Sequence, residues 1–197
     1  MLVHQFMPAE YALDNLRKRR LKVSLLADLN DPFELLGARL DRSEHRLRLR
    51  EWRNHMGRTS RLLCFSKGYM NPVLWSHYAD KHRGMCLKFD VPDHLLSEVS
   101  YAPARLEVDF EREAKNPRGV SNETVQRLLT TKFIDWKYEE EVRMFVRPEE
   151  VVRDGELQFF PFREQLALRA VYIGPRCTVT PSELKSALCA EEQRAYI

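Results

Sequence analysis

The stretch Trp136-Lys137-Tyr138-Glu139-Glu140-Glu141-Val142-Arg143-Met144-Phe145-Val146 constrains the fold most. Read at a period of two, Val142, Met144 and Val146 fall on one face, and Glu139, Glu141, Arg143 and Phe145 on the other. The spacing predicts a central strand from about Glu141 to Val146 with Val142, Met144 and Val146 buried. A purely structural strand has little use for two carboxylates and a guanidinium beside an aromatic ring. A site that handles a cation, or a developing positive charge, does. A solvated strand end with a local Glu–Arg pair is the plainer account of the same residues.

The 197 residues suit a single domain over 1–197, and 44% hydrophobic with 31% charged residues supplies a core and excludes a disordered composition. The net charge of +3 names no partner. Its distribution says more. Arg17-Lys18-Arg19-Arg20 is one basic run, and a helix expected from Asp41 to Met56 carries Arg42, Arg46, Arg48, Arg50 and Arg53. Such a face can track phosphates, so nucleic acid is one expected partner through the Arg46/Arg50/Arg53 region. A solvated helix face explains the same charges. Cys64, Cys86, Cys177 and Cys189 form no C-x-x-C pair and sit among apolar neighbours. They read as reduced, buried thiols, not a zinc site or a disulfide framework. With no leader pattern and no apolar run of about 20 residues, the expectation is a cytoplasmic protein with no membrane association.

Along the chain, Leu2 to Phe6 reads as a strand, Pro8 to about Arg19 as a helix and Leu21 to Ser24 as a second strand. Asn30-Asp31-Pro32-Phe33-Glu34 has the residues of a helix cap. Leu62 to Ser66, Met85 to Asp90, Val99 to Tyr101, Leu106 to Phe110, Leu157 to Phe160 and Leu168 to Ile173 read as strands. Asn71-Pro72 opens a helix with Trp75 and Tyr78. Ser121 caps another, whose stripe Val125, Leu128, Leu129, Phe133 or Ile134, and Trp136 predicts a helix up to the acidic strand. Glu111 to Gly119 is expected to be a loop and Pro181 to Ala190 a closing helix. The whole is α+β with a mixed, strongly bent (split) sheet and flanking helices, not a doubly wound parallel sheet.

Four segments carry a resemblance: Leu29-Asn30-Asp31-Pro32-Phe33-Glu34; Leu74-Trp75-Ser76-His77-Tyr78-Ala79 through His82-Arg83-Gly84 to Phe89-Asp90; Trp136 to Arg143; and Val171-Tyr172-Ile173-Gly174-Pro175. In order and spacing they resemble a bacterial family known as domain of unknown function number twenty-nine seventy-one. Where that family usually has a tryptophan between the last glutamate and the arginine, this chain has Val142. The order of elements is also similar to the ADP-ribosyltransferase fold, in particular its DNA-targeting toxins. Leu2-Val3-His4-Gln5-Phe6 matches the first strand, Lys22-Val23-Ser24 the second strand ending in a small residue, and Leu63-Cys64-Phe65-Ser66 the aromatic strand before a helix. Glu141 to Val146 matches the strand that presents the catalytic glutamate.

The second resemblance implies an enzyme that uses NAD, with no metal, to modify a nucleic-acid or protein acceptor in a toxin or phage-defence setting with a genomic partner protein. It places Glu141 beside an oxocarbenium-like ribose, with Glu139 positioning the acceptor or acting as its base. His4 and Ser24 would line the NAD pocket. Trp75, His77, Tyr78 and Arg143 are further candidate cofactor-binding residues, Arg143 as a pyrophosphate clamp or as a partner of Glu139 or Glu141. Each also has an ordinary reading: His4 as a satisfied strand histidine, Trp75 and Tyr78 as core. A Glu141→Gln substitution is expected to leave folding intact. The same fold without turnover, a nucleotide- or nucleic-acid-binding module, is the alternative. A metal-dependent nuclease is disfavoured, because Lys137 has the wrong parity for Glu140 and precedes the strand.

Overall fold

The computed structural model describes residues 1–29, 43–108, 113 and 121–188, and within them the chain is α+β. Strand β1 (Leu2–Met7) passes through Pro8 into helix α1 (Ala9–Lys18). Proline suits this junction, since the first helical turn needs no amide donor there. Arg19 closes the helix in the left-handed region at φ 51°, and β2 (Arg20–Lys22) and β3 (Ser24–Leu25) follow. The expected single strand from Leu21 to Ser24 is thus divided at Val23, and its two parts join different sheets. Next come α2 (Ser43–Thr59), β4 (Arg61–Ser66), α3 (Pro72–Tyr78) and β5 (Met85–Asp90). Asn71 caps α3 by accepting the Val73 amide at 2.9 Å. Then follow β6 (Leu96–Glu98), β7 (Ser100–Ala102), α4 (Asn122–Leu129) and β8 (Thr131–Phe133). A 3-10 helix (Ile134–Glu139) leads into β9 (Glu141–Val146). The last described elements are β10 (Val152–Asp154), β11 (Leu157–Pro161), β12 (Ala167–Ile173) and α5 (Pro181–Ala187).

The main sheet has the order β12-β5-β1-β4-β9-β6, with β3 added against β4. All its pairings are antiparallel. Parallel pairing occurs in a separate ribbon, β7 with β8, and β10-β11-β2 forms a third sheet. β9 lies inside the main sheet between β4 and β6, and Val142, Met144 and Val146 are buried. The sheet is held loosely at one joint. β1 meets β4 through the single pair His4–Ser66, whereas β1 meets β5 through six residues and β4 meets β9 through six.

One face of the sheet carries the main core. Val3, Leu63, Phe65, Leu87, Phe89, Val142 and Met144 pack with Leu13 and Leu16 of α1 and with Ala187 and Leu188. The opposite face carries two smaller apolar clusters. Leu62, Cys64 and Phe145 meet Leu128, Leu129, Trp52 and Met56, while Phe6 and Cys86 meet Trp75 and Ala79. Polar residues fill the strip between them.

Three sequence expectations need correction. The apolar stripe after Ser121 does not stay helical to Trp136: α4 stops at Leu129. The Thr130 and Thr131 hydroxyls donate to the carbonyls of Gln126 and Arg127 at 2.8 and 2.7 Å, and this local bonding satisfies the last turn. Phe133 therefore lies on β8, and Trp136 on the 3-10 helix. Leu106 makes only an isolated bridge and Glu107 and Val108 form no strand, while the rest of the expected Leu106 to Phe110 strand lies outside the described residues. Glu113, expected in a loop, is helical and buried. It accepts hydrogen bonds from the amide and hydroxyl of Ser121 and from the Thr124 hydroxyl. Asn30-Asp31-Pro32-Phe33-Glu34 lies outside the described residues.

Gly84 and Gly174 lock two distant segments. Gly174 donates its N–H to the Gly84 carbonyl at 3.0 Å, and Arg176 donates to that of His82 at 3.1 Å. A Cβ on Gly84 would lie 2.2 Å from the Met7 carbonyl oxygen, and one on Gly174 would lie 2.3 Å from that of His82. The obstacles are backbone and cannot rotate aside. Gly84→Ala is expected to lower stability by at least about 1–3 kcal/mol. A urea transition with an earlier midpoint and an unchanged slope would show it; an unmoved midpoint would mean that the turn shifts freely.

Candidate functional site

The register of the main sheet sets out the site. His4 on β1 pairs with Ser66 on β4, and Ser66 pairs with Glu141 on β9. Directly opposed residues share a face, so these three side chains form a row across adjacent strands, with His4 and Glu141 roughly 10 Å apart at their Cα atoms. Beyond the single His4–Ser66 joint, a cavity of about 240 Å³ opens. Its walls include His4, Ser24, Ser66, Tyr78, Glu139 and Glu141, together with Lys132, Cys64, Asp28 and Gln5. The chain thus brings His4, Ser24, Tyr78, Glu139 and Glu141 to one place from four separate regions of sequence.

Glu139 reaches the cavity by a different route from strand alternation. It ends the 3-10 helix, and Glu140 breaks the period in the left-handed region at φ 44°. That kink lets both Glu139 and Glu141 meet one cation. The ammonium of Lys132 lies 2.7 Å from Glu139 and 2.7 Å from Glu141. Arg143 holds Glu141 from the other side, with Nε 2.8 Å from Oε1 and Nη2 3.1 Å from Oε2. The Tyr78 hydroxyl donates to Glu139 Oε1. The cluster contains two carboxylates and two cations and is buried throughout. Burial pushes the Glu141 pKa up, but Arg143 and Lys132 outweigh it and hold the carboxyl below its ordinary value. Burial likewise opposes the charge on Lys132, yet Glu141 and Glu139 leave its pKa raised. The Cys64 thiol is pushed well up, first by burial and then by Glu141.

His4 is 5% exposed, and neither ring nitrogen has a hydrogen-bond partner. The Ser66 and Lys67 backbone groups approach it without hydrogen-bond geometry. Burial lowers its pKa, and Lys88 adds to the shift. A buried, polar ring without a hydrogen-bond partner on a cavity wall is a place where a ligand could supply the missing partner. Its ring packs near Tyr69 and Tyr172, which stack at 4.0 Å.

Three candidates lie elsewhere. Trp75 is in the core, edge-on to Phe6, with its indole N–H donated to the Tyr69 carbonyl at 2.7 Å. His77 is exposed beyond the cavity and meets the Tyr138 hydroxyl at 3.2 Å. Helical spacing puts it on a different side from Tyr78. Arg143 is fully buried, bound to Glu141 and donating to the Leu129 carbonyl at 2.7 Å, so it has no surface for a pyrophosphate. Arg50 is exposed on α2, while the side chains of Arg46 and Arg53 lie outside the described residues.

Sequence reasoning missed Lys132, Ser66 and Gln5. Lys132 was hidden inside an apparent helical stripe, and its role depends on a ribbon pairing that no local pattern reveals. Ser66 could have been found from the register alone, once Glu141 was set opposite the end of the Arg61–Ser66 strand. Among the described residues no helix is long and apolar enough to cross a membrane.

No curated protein and no solved structure matches the chain. Residues 74–144, the segment that holds Tyr78, Lys132, Glu139 and Glu141, match the model of a family described as a protein of unknown function (DUF2971), which bears out the family resemblance read from the sequence.

Proposed function

We propose that the protein is an ADP-ribosyltransferase-like enzyme that uses NAD to modify a nucleic-acid or protein acceptor. The observation that carries this reading is the convergence of His4, Ser24 and Glu141 on one cavity, with His4 unpaired. The volume of about 240 Å³ is small beside the roughly 300–1,000 Å³ of most ligand sites. It suits the nicotinamide riboside end, with the rest of the dinucleotide extending over the surface.

In the proposed reaction the bond between ribose C1′ and the nicotinamide nitrogen breaks. The bonding pair leaves on that nitrogen, and nicotinamide departs neutral. The ribose becomes oxocarbenium-like, and the ionised Glu141 stabilises it. Arg143 Nε donates to Oε1 of Glu141, and Arg143 Nη2 and the Lys132 ammonium bind Oε2. The acceptor's lone pair forms the new bond to C1′, and Glu139 takes the proton.

The neutrality of the carboxylate–cation cluster favours one second reading, a nucleotide-binding module without turnover. Release of nicotinamide from NAD, with transfer of the remaining label to an acceptor, separates the two. A toxin or phage-defence setting with a genomic partner protein fits the enzyme reading. For a nucleic-acid acceptor, α2 is the expected docking element. Replacing Arg46, Arg50 and Arg53 with Ala is expected to weaken nucleic-acid binding and flatten its salt dependence by up to about three phosphate contacts. An unchanged slope would return those arginines to a solvated face.

A further inference from the structure

The β7–β8 ribbon stands apart from the main sheet and has only three residue pairs, one of which is Tyr101–Lys132. Both members of that pair reach Glu141. The Tyr101 hydroxyl accepts the Glu141 backbone N–H at 2.7 Å. Lys132 donates to the Glu141 carboxylate, and its second contact takes in Glu139. The ribbon is tied to the end of α4, where the Ser100 N–H donates to the Thr130 carbonyl at 2.8 Å. The Leu129 carbonyl, one residue earlier, accepts from Arg143. The Lys132 ammonium also lies 5.3 Å from the Trp136 ring centre, which fixes it from a further side.

We infer that Tyr101 and Lys132 form a clamp, presented side by side by the ribbon, that holds Glu141 and Glu139 as one array facing the cavity. They are positioning residues for the transfer, and to that extent the inference rests on the proposed function. The main-sheet strand fixes the Glu141 backbone and, through Arg143, grips its carboxylate, but Glu139 lies outside the strand. Without the ammonium, two like charges would face each other in a buried site, which favours protonation of one of them. Lys132 thus keeps both carboxylates available as acceptors, one toward ribose and one toward the incoming nucleophile. Other titratable or charged groups lie around this array. His4 comes from β1, Cys64 from β4, Tyr78 from α3 and Arg143 from β9, and Asp28 also lines the cavity. Lys132 contacts both carboxylates through one atom, its Nζ. Tyr101 stays protonated across the working range, since burial pushes its phenol up to about 12, and so it remains a neutral acceptor for the Glu141 amide.

The test combines two readouts on the intact chain. Carboxylate titrations by carbon NMR, assigned with Glu139→Gln, compare the wild type with Lys132→Met and Lys132→Arg. In Lys132→Met one of the two carboxylates is expected to titrate about one pH unit or more higher, and Lys132→Arg to recover most of the change. In the NAD assay, Lys132→Met should lose about tenfold or more in kcat with little change in KM, and the acid limb of its pH profile should move upward by a similar amount. If Lys132→Met does not fold, Tyr101→Phe serves instead. It removes only the acceptor of the Glu141 amide, which should then exchange hydrogen faster while kcat falls. Superposable titrations in wild type and Lys132→Met, or a displaced titration with an unchanged kcat, would overturn the clamp. So would a Glu141 amide that exchanges equally slowly in Tyr101→Phe. A wild type with no turnover at all would overturn the transfer reading, and the titrations alone would then judge the clamp.

Discussion

Arg143→Met is expected to destabilise the fold by about 3–5 kcal/mol, the usual cost of removing one partner of a buried ion pair. Arg143 is the bulkiest fully buried side chain described in the protein, and it makes two bonds to Glu141 and one to the Leu129 carbonyl. It therefore ties β9 to the end of α4. Methionine fills much of the space but leaves Glu141 with Lys132 as its one close cation among the described residues, and leaves a buried carbonyl without this donor. Lysine is not an adequate replacement, since one ammonium cannot reproduce the fork that grips both carboxylate oxygens and a carbonyl. Urea transitions at neutral pH measure the loss. The same pair gives a signed pH dependence. The Glu141 pKa is depressed in the folded state, so its contribution is full above the ordinary value of 4.5 and is lost as pH falls through the lower folded value. Wild-type stability should therefore drop on acidification below about pH 4.5, and Arg143→Met should show a smaller part of that drop. A melt of Arg143→Met equal to wild type would mean that the guanidinium is dispensable to the fold.

Much of this arrangement was legible in sequence because it rests on local patterns. The alternation of Val142, Met144 and Val146 fixed a buried strand, and Pro8, Asn71 and Ser121 marked helix starts that formed within a residue or two of expectation. What remained hidden depends on contacts between distant segments. Thr130 and Thr131 end a helix whose apolar stripe continues, since two hydroxyls competing for backbone carbonyls outweigh periodicity. That ending puts Lys132 on a strand, and only the pairing of β8 with β7 directs it to Glu141. Strand parity set Glu139 and Glu141 on one face, but the left-handed Glu140 shows that their proximity arises from a kink. The site candidates divided in the same way. His4 and Ser24, placed at strand positions, line the cavity. Trp75, on a helix face, packs into the core, because an indole flanked by Phe6 and Tyr69 buries more apolar surface there.

Glu141→Gln is expected to slow the proposed transfer on the order of 100-fold or more, since removing one preorganised electrostatic contact at a charged transition state costs several kcal/mol. Its structural consequence is larger than the sequence suggested. Glu141 was expected to contribute little to the fold, but it is 5% exposed and neutralises Arg143 and Lys132. Glutamine keeps the shape but removes the charge that faces both cations, while Lys132 keeps its contact with Glu139. A loss of stability should therefore accompany the loss of rate, again up to about 3–5 kcal/mol. Rates must be compared well below both melting temperatures, with circular dichroism confirming that each protein is folded. A folded variant that has lost turnover but still binds NAD would place Glu141 in the chemical step, whereas loss of both would place it in binding.

The most direct measurement is nicotinamide release from NAD by wild type and by folded Glu141→Gln, with nucleic acid or cell lysate supplied as acceptor. The proposed transfer predicts release by the wild type, matched by label in the acceptor, and release on the order of 100-fold slower in the variant. Equal rates in the two proteins, or a folded wild type that releases no nicotinamide with any of these acceptors, would contradict it.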